Sequence, residues 1–443
     1  MVASLSVSRA RVARIANAAC WSLGLALLAW NFASVLRHAV DVPYWDDWAA
    51  LDPGALDRPL RWAWLVGFHN VHRTVWTNLS IWLLYRLDGW NLAVHLALNF
   101  LLFAALAIGF LRSLERCLTA HLGPFLVPLA SAIPDEIHLH ASNGQWTFAL
   151  GFAFLAWVFA LRADRWSNLS PLFAVAAAFA MGTGVVLVLT GYVALLLALA
   201  LLQPGRRIRI AAWGATVAAG IWWWARGYPS SPAPSTSPFS AAFWEHLGAM
   251  VAGGFGWSAR PEPAVGWAIL ALLAASAVVT LLRLPRMDAP ERVRWVALLC
   301  GCGAIVLALG SISLARAWAG VGGALSGRYL VVSMFLVAPL WLLVQRQLVQ
   351  RAPERVQLPT SAVLLLALLL PFVRDLDFSE RYGRQQARRL AGLSCIWQMV
   401  RVGLPPRCPA IQYDLAAAPV HHARALQLGL SYLRDLGPQG AAR

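Results

Sequence analysis

The chain of 443 residues is 59% hydrophobic and only 13% charged, which is far more apolar than an ordinary soluble domain. This composition excludes a water-soluble fold. The net charge of +16 does not indicate a nucleic-acid partner, because membrane proteins carry an excess of basic residues in their cytoplasmic loops. Six cysteines are too few for a disulfide-rich scaffold.

Apolar blocks of about twenty residues, long enough to cross a bilayer as a helix, recur along the chain. The first block follows three arginines and has no cleavage pattern, so we interpret it as a retained helix and not as a secretory signal. The stretch Met181–Gly184 joins the fifth and sixth blocks, which form either a shallow hairpin or one broken helix. We predict an all-α polytopic transmembrane helical protein of about 11 spans, near residues 18–36, 91–111, 122–134, 146–161, 169–181, 183–202, 208–225, 264–282, 295–315, 329–345 and 358–373.

Arginine placement predicts the orientation of these spans. With the N-terminus inside, the inner loops hold roughly twice as many arginines as the outer loops, as the positive-inside rule requires. We therefore expect a multi-pass protein of the bacterial cytoplasmic (inner) membrane. Its N-terminus would be cytoplasmic, and its long loops would face the periplasm.

Residues 1–373 then form one transmembrane module, whose first outer loop covers 37–90, and residues 374–443 form a short polar C-terminal tail. An odd number of spans places this tail outside, whereas an even number would reverse it. Five arginines close to the last span disagree with an outside tail, although long polar segments translocate with less regard to charge. They are Arg374, Arg381, Arg384, Arg388 and Arg389.

Acidic residues are concentrated in the first outer loop. The chain has 20 acidic residues in all, yet five aspartates fall between positions 41 and 57. Two of them, Asp46 and Asp47, lie among Tyr44, Trp45 and Trp48, and such aromatic residues prefer the lipid–water boundary. A carboxylate held there, partly desolvated, would have a raised pKa and would suit a general base acting on a sugar hydroxyl. The alternative is a solvated loop with an aromatic anchor.

Further along the loop, a stretch from Phe68 to Trp90 has a helical, amphipathic pattern. It would place His69, His72 and Arg73 near one face, where imidazoles and a guanidinium could meet an anionic phosphate. Histidines three apart also suit a divalent metal such as Mg²⁺ or Mn²⁺, with Asp46 or Asp47 completing the site. A polar helix lying in the interface is the alternative.

The connection at 135–145 forms a second outer cluster, on the same side as the first loop. Its candidate residues for binding a sugar or helping to hold a metal are Asp135, Glu136, His138 and His140. A polar connection between two helices is the alternative interpretation.

A first helix that leads at once into a long outer loop with paired acidic residues, followed by eight or more spans, resembles the GT-C superfamily. These integral-membrane glycosyltransferases use polyprenyl-phosphate sugars, and include protein O-mannosyltransferase and arabinosyltransferase types. The motif core covers Tyr44 to Arg73. The resemblance implies that Asp46 or Asp47 deprotonates the acceptor. It also implies that Arg328, which precedes Tyr329 at the start of a late span, grips the lipid phosphate.

We therefore predict an inverting glycosyltransferase that moves a sugar from a polyprenyl-phosphate donor to an envelope glycan or lipid acceptor at the membrane. The sequence has no large soluble outer domain of the kind appended to some GT-C enzymes, so we expect a small acceptor. An O-antigen ligase or polymerase is the nearest alternative, but it would carry its working residues in a large late loop. A transporter or flippase of a lipid-linked or amphipathic substrate would place ionisable residues inside spans and show related halves. A structural scaffold also stays open.

Overall fold

The computed structural model describes residues 2–51, 55, 56, 59–229, 235–349, 354–402, 423–425, 427, 428 and 430. Over these residues the protein is almost entirely helical, with one short antiparallel hairpin of β1 (Phe68–His69) and β2 (His72–Arg73). The prediction of an all-α fold is confirmed. The helices are α1 (Val2–His38), α2 (Trp62–Leu65), α3 (Val75–Asp88), α4 (Leu92–Leu118), α5 (Leu126–Leu129), α6 (Asp135–Leu139), α7 (Gly144–Ala160), α8 (Ser170–Ala178), α9 (Gly182–Val186), α10 (Val193–Leu202), α11 (Arg207–Ala225), α12 (Ala241–Gly254), α13 (Pro263–Arg283), α14 (Ala289–Arg316), α15 (Gly327–Met334), α16 (Val337–Val344), α17 (Glu354–Leu369) and α18 (Phe378–Val402).

Among the described residues, seven helical segments are long and apolar enough to cross a membrane, and each coincides with a predicted span. Large apolar side chains such as Leu201 and Leu282 are about three-quarters exposed on these helices, as expected of surfaces that face lipid. The chain is a multi-pass membrane protein. The seven segments are Arg11–His38, Leu92–Leu118, Gly182–Leu202, Pro263–Arg286, Ala289–Ala319, Gly327–Gln347 and Pro359–Leu376.

The other four predicted spans do not reach that standard, so the count of eleven is not confirmed. Prolines interrupt the segment 122–134, which contains only a short 3-10 turn and the four-residue α5. The helix α7 is apolar but shorter than a full span, and α11 begins with the arginine-rich stretch Arg207–Arg209. The fourth, α8, is only nine residues long.

The short α8 leaves room for the segment 37–90, which we call loop one. At 1.5 Å per residue it reaches only about 14 Å, less than half of a bilayer core. The chain then turns back into α9, with Gly184 against the Ala177 carbonyl, so the fifth and sixth segments form a hairpin with one short arm and one arm, Gly182–Leu202, of spanning length. Loop one packs on this turn, because the Val75 N–H donates to Phe179 O and Trp76 Nε1 donates to Ala176 O.

The segment Gly327–Gln347 is the central helix of the bundle. Within the most apolar part of this segment, 94% of the residues are buried in the protein, whereas the buried share does not exceed 50% in any other candidate span of the described chain. Helices α4, α7, α12 and α14 contribute side chains to the same large core. Because Arg328 stands at the first turn of this central helix, it is held close to the axis of the protein at one end.

Loop one folds as a compact cap with a small core of its own. Trp48, Leu51 and Trp90 are almost fully buried in it, together with Ile81 of α3. The predicted helix from Phe68 to Trp90 is wrong at its start, because Asn70 has a left-handed φ of 52° and reverses the chain between β1 and β2. His69 therefore faces His72 across a hairpin and does not share a helix face with it.

The described part of the tail returns to the same end of the bundle as loop one. Helix α18 packs along α1 and against α6. Its Arg389 is 1% exposed and lies next to Asp47 of loop one. Helix α18 is thus docked on the bundle, and it shares a face of the protein with loop one.

Candidate functional site

A 3-10 turn from Trp45 to Leu51 gives the two adjacent aspartates different surroundings. Side chains three apart eclipse one another in such a turn. Asp46 and Ala49 line an open hollow, whereas the side chain of Asp47 is fully buried in the protein. Trp48 fills the small core of loop one, and so fixes the rotation of the turn.

Asp47 is fully buried and is occupied by structural contacts. Its Oδ1 accepts the Ser142 N–H at 2.7 Å, and its Oδ2 accepts the Tyr44 N–H at 3.2 Å. The Oδ2 atom also lies 4.0 Å from Arg389 Nη2. Burial raises the pKa of Asp47, while Arg389 and the backbone donors oppose that rise. This carboxylate joins loop one to the connection 135–145, which we call the second loop, and to α18.

The other loop-one aspartates do not reach the open hollow in the described structure. Asp41 Oδ1 accepts the Leu92 N–H at 2.7 Å and so caps the start of α4. Asp52 and Asp57 lie outside the described residues. Asp46 is left as the accessible carboxylate, and no hydrogen bond or ion pair engages it within the described part of the chain.

Two polar hollows meet at Asp46 and Ser142. The first, which we call the loop-one hollow, has a volume of about 200 Å³. Besides the two shared residues, its polar lining comprises His69, Thr74, Thr77, Asn78 and Gln145. The second, which we call the arginine hollow, has a volume of about 150 Å³. It is lined, besides the same two residues, by Tyr44, Glu136, His140, Asn143, Arg328, Gln385 and Arg388.

The motif Gly327-Arg328-Tyr329 brings a guanidinium into the arginine hollow. A Cβ at Gly327 would lie 2.3 Å from Asp135 Oδ1, so only glycine allows the central helix to start this close to the second loop. Tyr329 is buried edge-on against Trp146, with ring centroids 5.7 Å apart. The adjacent Arg328 is thereby directed to the hollow, where its Nε lies 3.5 Å from Glu136 Oε2.

Helical spacing in α6 divides the second cluster between the hollow and the interior. Glu136 and His140, four apart, line the arginine hollow. Glu136 also accepts a hydrogen bond from Ser326 Oγ at 2.7 Å. His140 stands edge-on to Tyr44, and burial lowers its pKa well below the usual value. His140 is therefore a neutral imidazole at neutral pH.

Asp135 and His138 face the interior of the same turn. Asp135 Oδ2 accepts from Gln385 Nε2 at 3.3 Å, and its Oδ1 lies 3.9 Å from Arg381 Nη1. Burial, with the neighbouring Glu136, raises the pKa of Asp135 to about 6. His138 Nδ1 lies 2.8 Å from the Tyr382 hydroxyl, and burial lowers the pKa of this histidine to about 3. Both residues hold α18 in place.

The three candidates in the hairpin of loop one have separate surroundings. His69 lines the loop-one hollow. His72 packs against Gly182 at the start of α9, and burial lowers its pKa to about 4. Arg73 donates from Nε to Trp224 O at 2.9 Å and also contacts the carbonyls of Val66 and Arg226. Neither His72 nor Arg73 lines either polar hollow.

Metal binding has no geometric support among the described residues. No three His, Cys, Asp or Glu side chains in that part of the chain converge in a way that could hold an ion. His69 and His72 pair across the hairpin, but Glu136 of the second cluster lies in the other hollow and Asp135 contacts α18. Dependence on Mg²⁺ or Mn²⁺ remains an untested expectation.

An apolar groove lies on the other side of the wall formed by α2 and the start of α3. Its volume is about 410 Å³, and its lining is almost wholly apolar. Trp62, Val66 and Trp76 line this groove, whereas Ala63 and Thr77 from the same two segments line the loop-one hollow. The remainder comes from α7, α8 and α11 and includes Phe152, Leu172, Phe173 and Trp223. One thin wall thus separates a polar space from an apolar one.

Sequence reasoning missed four residues of the arginine hollow: Ser142, Asn143, Gln385 and Arg388. The last two belong to α18, whose arginines were informative in the sequence only for the orientation of the spans. The signal available for them was the spacing of polar residues at 381, 385, 388 and 389, which fits one side of a helix.

Comparison of this chain with protein-family models, curated proteins and solved structures finds no match.

Proposed function

We propose that this protein is a membrane glycosyltransferase that moves a sugar from a polyprenyl-phosphate donor to an envelope glycan or lipid on the outer face of the membrane. The observation that carries the proposal is the position of Asp46. Its carboxylate lies where the two polar hollows meet, and an apolar groove runs behind the wall of one of them. Such a site suits a substrate with a polar head and a hydrocarbon tail.

Asp46 would act as the general base. It takes the proton of an acceptor hydroxyl, whose oxygen then bonds to the anomeric carbon of the donor sugar. The bond from that carbon to the phosphate oxygen breaks, and the lipid phosphate leaves with the electron pair. One new glycosidic bond forms with inversion. Asp46 suits this role because no described residue occupies its carboxylate, whereas Asp47 is committed to the backbone and to Arg389.

Stabilisation of the departing phosphate would fall to the arginine hollow. Arg328 lies in the same hollow as Asp46, at the rigid start of the central helix. Fixed positive charge aimed at developing negative charge is usually the largest electrostatic contribution to such a reaction. Glu136 lies 3.5 Å from the guanidinium and would keep it oriented.

The apolar groove supports a lipid-linked donor. It is lined by residues of α2, α3, α7, α8 and α11, and its lining offers almost no hydrogen-bonding group. Hydrocarbon is the occupant that such a surface favours, because apolar area is buried without leaving polar atoms unsatisfied. A flippase of a lipid-linked substrate would use the same groove, but it would have no need for an accessible carboxylate at the junction of the hollows.

Mass spectrometry of lipid-linked sugars and surface glycans tests the proposal in cells. The cells carry the wild-type gene, a deletion, Asp46→Asn, or the control Asp88→Asn, which changes a carboxylate of the same loop outside both hollows. We expect the deletion and Asp46→Asn alone to lose one sugar from a glycan and to accumulate its polyprenyl-phosphate donor. A wild-type glycan profile in Asp46→Asn cells, at wild-type protein levels, refutes the assignment.

The same measurement separates the transferase from its rivals. Loss of a flippase leaves the carrier on the inner face, so the glycan defect would depend on the whole protein and not on the Asp46 carboxylate. If the protein were an O-antigen ligase-like enzyme, cells that lack its activity would accumulate a lipid-linked oligosaccharide in place of a single lipid-linked sugar. The mass of the accumulated species therefore decides between the two enzymes.

A further inference from the structure

We propose that the C-terminal helix α18 completes the site, with Arg388 binding the phosphate group of the lipid-linked donor. The inference rests on the proposed function, since it assigns a residue to the phosphate of that donor. It starts from a contrast within α18, in which Arg381, Tyr382, Gln385 and Arg389 are held by largely buried partners and Arg388 is not.

Helix α18 is fastened to the bundle along one face. Arg381 Nη2 lies 3.1 Å from Asp375 Oδ1, and the Tyr382 hydroxyl donates to Asn31 Oδ1 at 2.5 Å. One turn later Gln385 donates to Asp135, and a further turn later Arg389 lies beside Asp47. Contacts at positions 381, 382, 385 and 389 fall on one side of a helix. The rotation and the height of α18 are therefore fixed.

This fixed rotation carries Arg388 to the rim of the arginine hollow. Its side chain is exposed and lines that hollow together with Asp46, Glu136 and Arg328. Within the described part of the chain, no carboxylate lies within ion-pair distance of Arg388. Arg328, by contrast, has Glu136 at 3.5 Å.

The charge count of the hollow then points to an anion at Arg388. Glu136 balances Arg328, and Asp46 loses its negative charge when it takes the acceptor proton. One positive charge remains uncompensated, on Arg388, at the stage when the phosphate gains negative charge. An arginine is the side chain best suited to phosphate, because its planar donors bind two oxygens at once.

Binding measurements on the purified full-length protein in detergent test the assignment without acceptor or sugar. The probes are geranylgeranyl phosphate, the neutral geranylgeraniol and inorganic phosphate. The variants are Arg388→Gln and the control Arg384→Gln, which removes an exposed arginine one turn earlier that pairs with Glu380 outside the hollow. Arg388→Lys keeps the charge but loses the planar donors.

We expect Arg388→Gln to bind geranylgeranyl phosphate on the order of 10- to 100-fold more weakly, the range for a lost hydrogen bond to a charged group. Binding of geranylgeraniol should stay unchanged, Arg388→Lys should recover part of the affinity, and Arg384→Gln should match the wild type. Inorganic phosphate should compete only weakly with geranylgeranyl phosphate, because the hydrocarbon tail of the lipid adds affinity by binding in the apolar groove.

Three results overturn the inference. One is wild-type affinity of Arg388→Gln for geranylgeranyl phosphate, and another is an equal loss for geranylgeraniol, which indicates damage to the groove. The third is Arg388-dependent binding of inorganic phosphate alone, which identifies a free anion as the ligand. Each of these leaves the glycan test of Asp46 standing, whereas failure of that test leaves Arg388 as a ligand of a lipid phosphate that is not a sugar donor.

Discussion

Replacement of Asp47 by alanine separates its structural role from the proposed chemical role of Asp46. The change leaves Arg389, 1% exposed, without its carboxylate and leaves the N–H groups of Tyr44 and Ser142 without their acceptor. Breaking one partner of a buried ion pair costs about 3–5 kcal/mol, and a buried N–H left unpaired costs about 1–3 kcal/mol. These costs overlap, so we expect a loss of at least ~3 kcal/mol.

Thermal unfolding in detergent, combined with limited trypsin digestion, measures this loss. Undocking of α18 exposes the peptide bonds after Arg384 and Arg388, so Asp47→Ala should unfold at a lower temperature and be cut faster within α18. The matched control is Asp46→Ala, which removes the neighbouring carboxylate from the open hollow. It should unfold and resist trypsin as the wild type does.

A second substitution tests whether the unpaired charge of Arg389 causes the loss of stability in Asp47→Ala. Exchanging Arg389 for methionine in the Asp47→Ala background removes the uncompensated charge, and apolar replacement of both partners of a buried pair is often neutral or stabilising. The double variant should therefore recover part of the lost stability. Equal unfolding temperatures for Asp47→Ala and Asp46→Ala, or no recovery in the double variant, would show that the pair does not hold loop one to α18.

Two further predictions concern the second loop. Gly327→Ala places a Cβ 2.3 Å from Asp135 Oδ1 and 2.6 Å from Ile133 O, so the protein should lose about 1–3 kcal/mol and much of its transfer activity. Gly322→Ala, with open space around it, should lose neither in the same unfolding and glycan assays. Burial and Glu136 raise the pKa of Asp135 to about 6, so the folded state binds this proton more tightly than the unfolded chain. Stability should fall by ~3 kcal/mol as the pH rises from about 4 to 7, and Asp135→Asn should remove that fall in unfolding measured across this range.

The sequence predicts spans well where a helix is continuous and faces lipid. Seven predicted spans coincide with helices of spanning length, because a run of apolar residues is enough to specify such a helix. The sequence predicts spans poorly where an apolar segment is short and is buried inside the protein. The segment 122–134 is as apolar as a span but has prolines within it, and α8 is buried against its neighbours at only nine residues. Hydropathy measures burial and does not distinguish burial in protein from burial in lipid.

The candidate site was predictable in composition but not in arrangement. The concentration of aspartate in loop one singles out Asp46 and Asp47 without separating them. Their difference depends on which side of one 3-10 turn packs against Ser142, a residue 95 positions away from Asp47. The sequence wrongly predicts a helix at the hairpin of His69 and His72, because the amphipathic pattern continues smoothly into α3 and only one left-handed residue, Asn70, interrupts the helix.

The arginines of the tail show why charge counting alone was ambiguous there. Counted as topological charges, they argue against placing the tail on the side of loop one. In the structure three of them have nearby carboxylates: Arg381 has Asp375 and Asp135, Arg384 has Glu380, and Arg389 has Asp47. Two of these three guanidiniums are largely buried among carboxylates of loop one, the second loop and the last span. The spacing of Arg381 and Arg389 therefore reflects a docking face, and helix α18 lies with loop one because its partners are there.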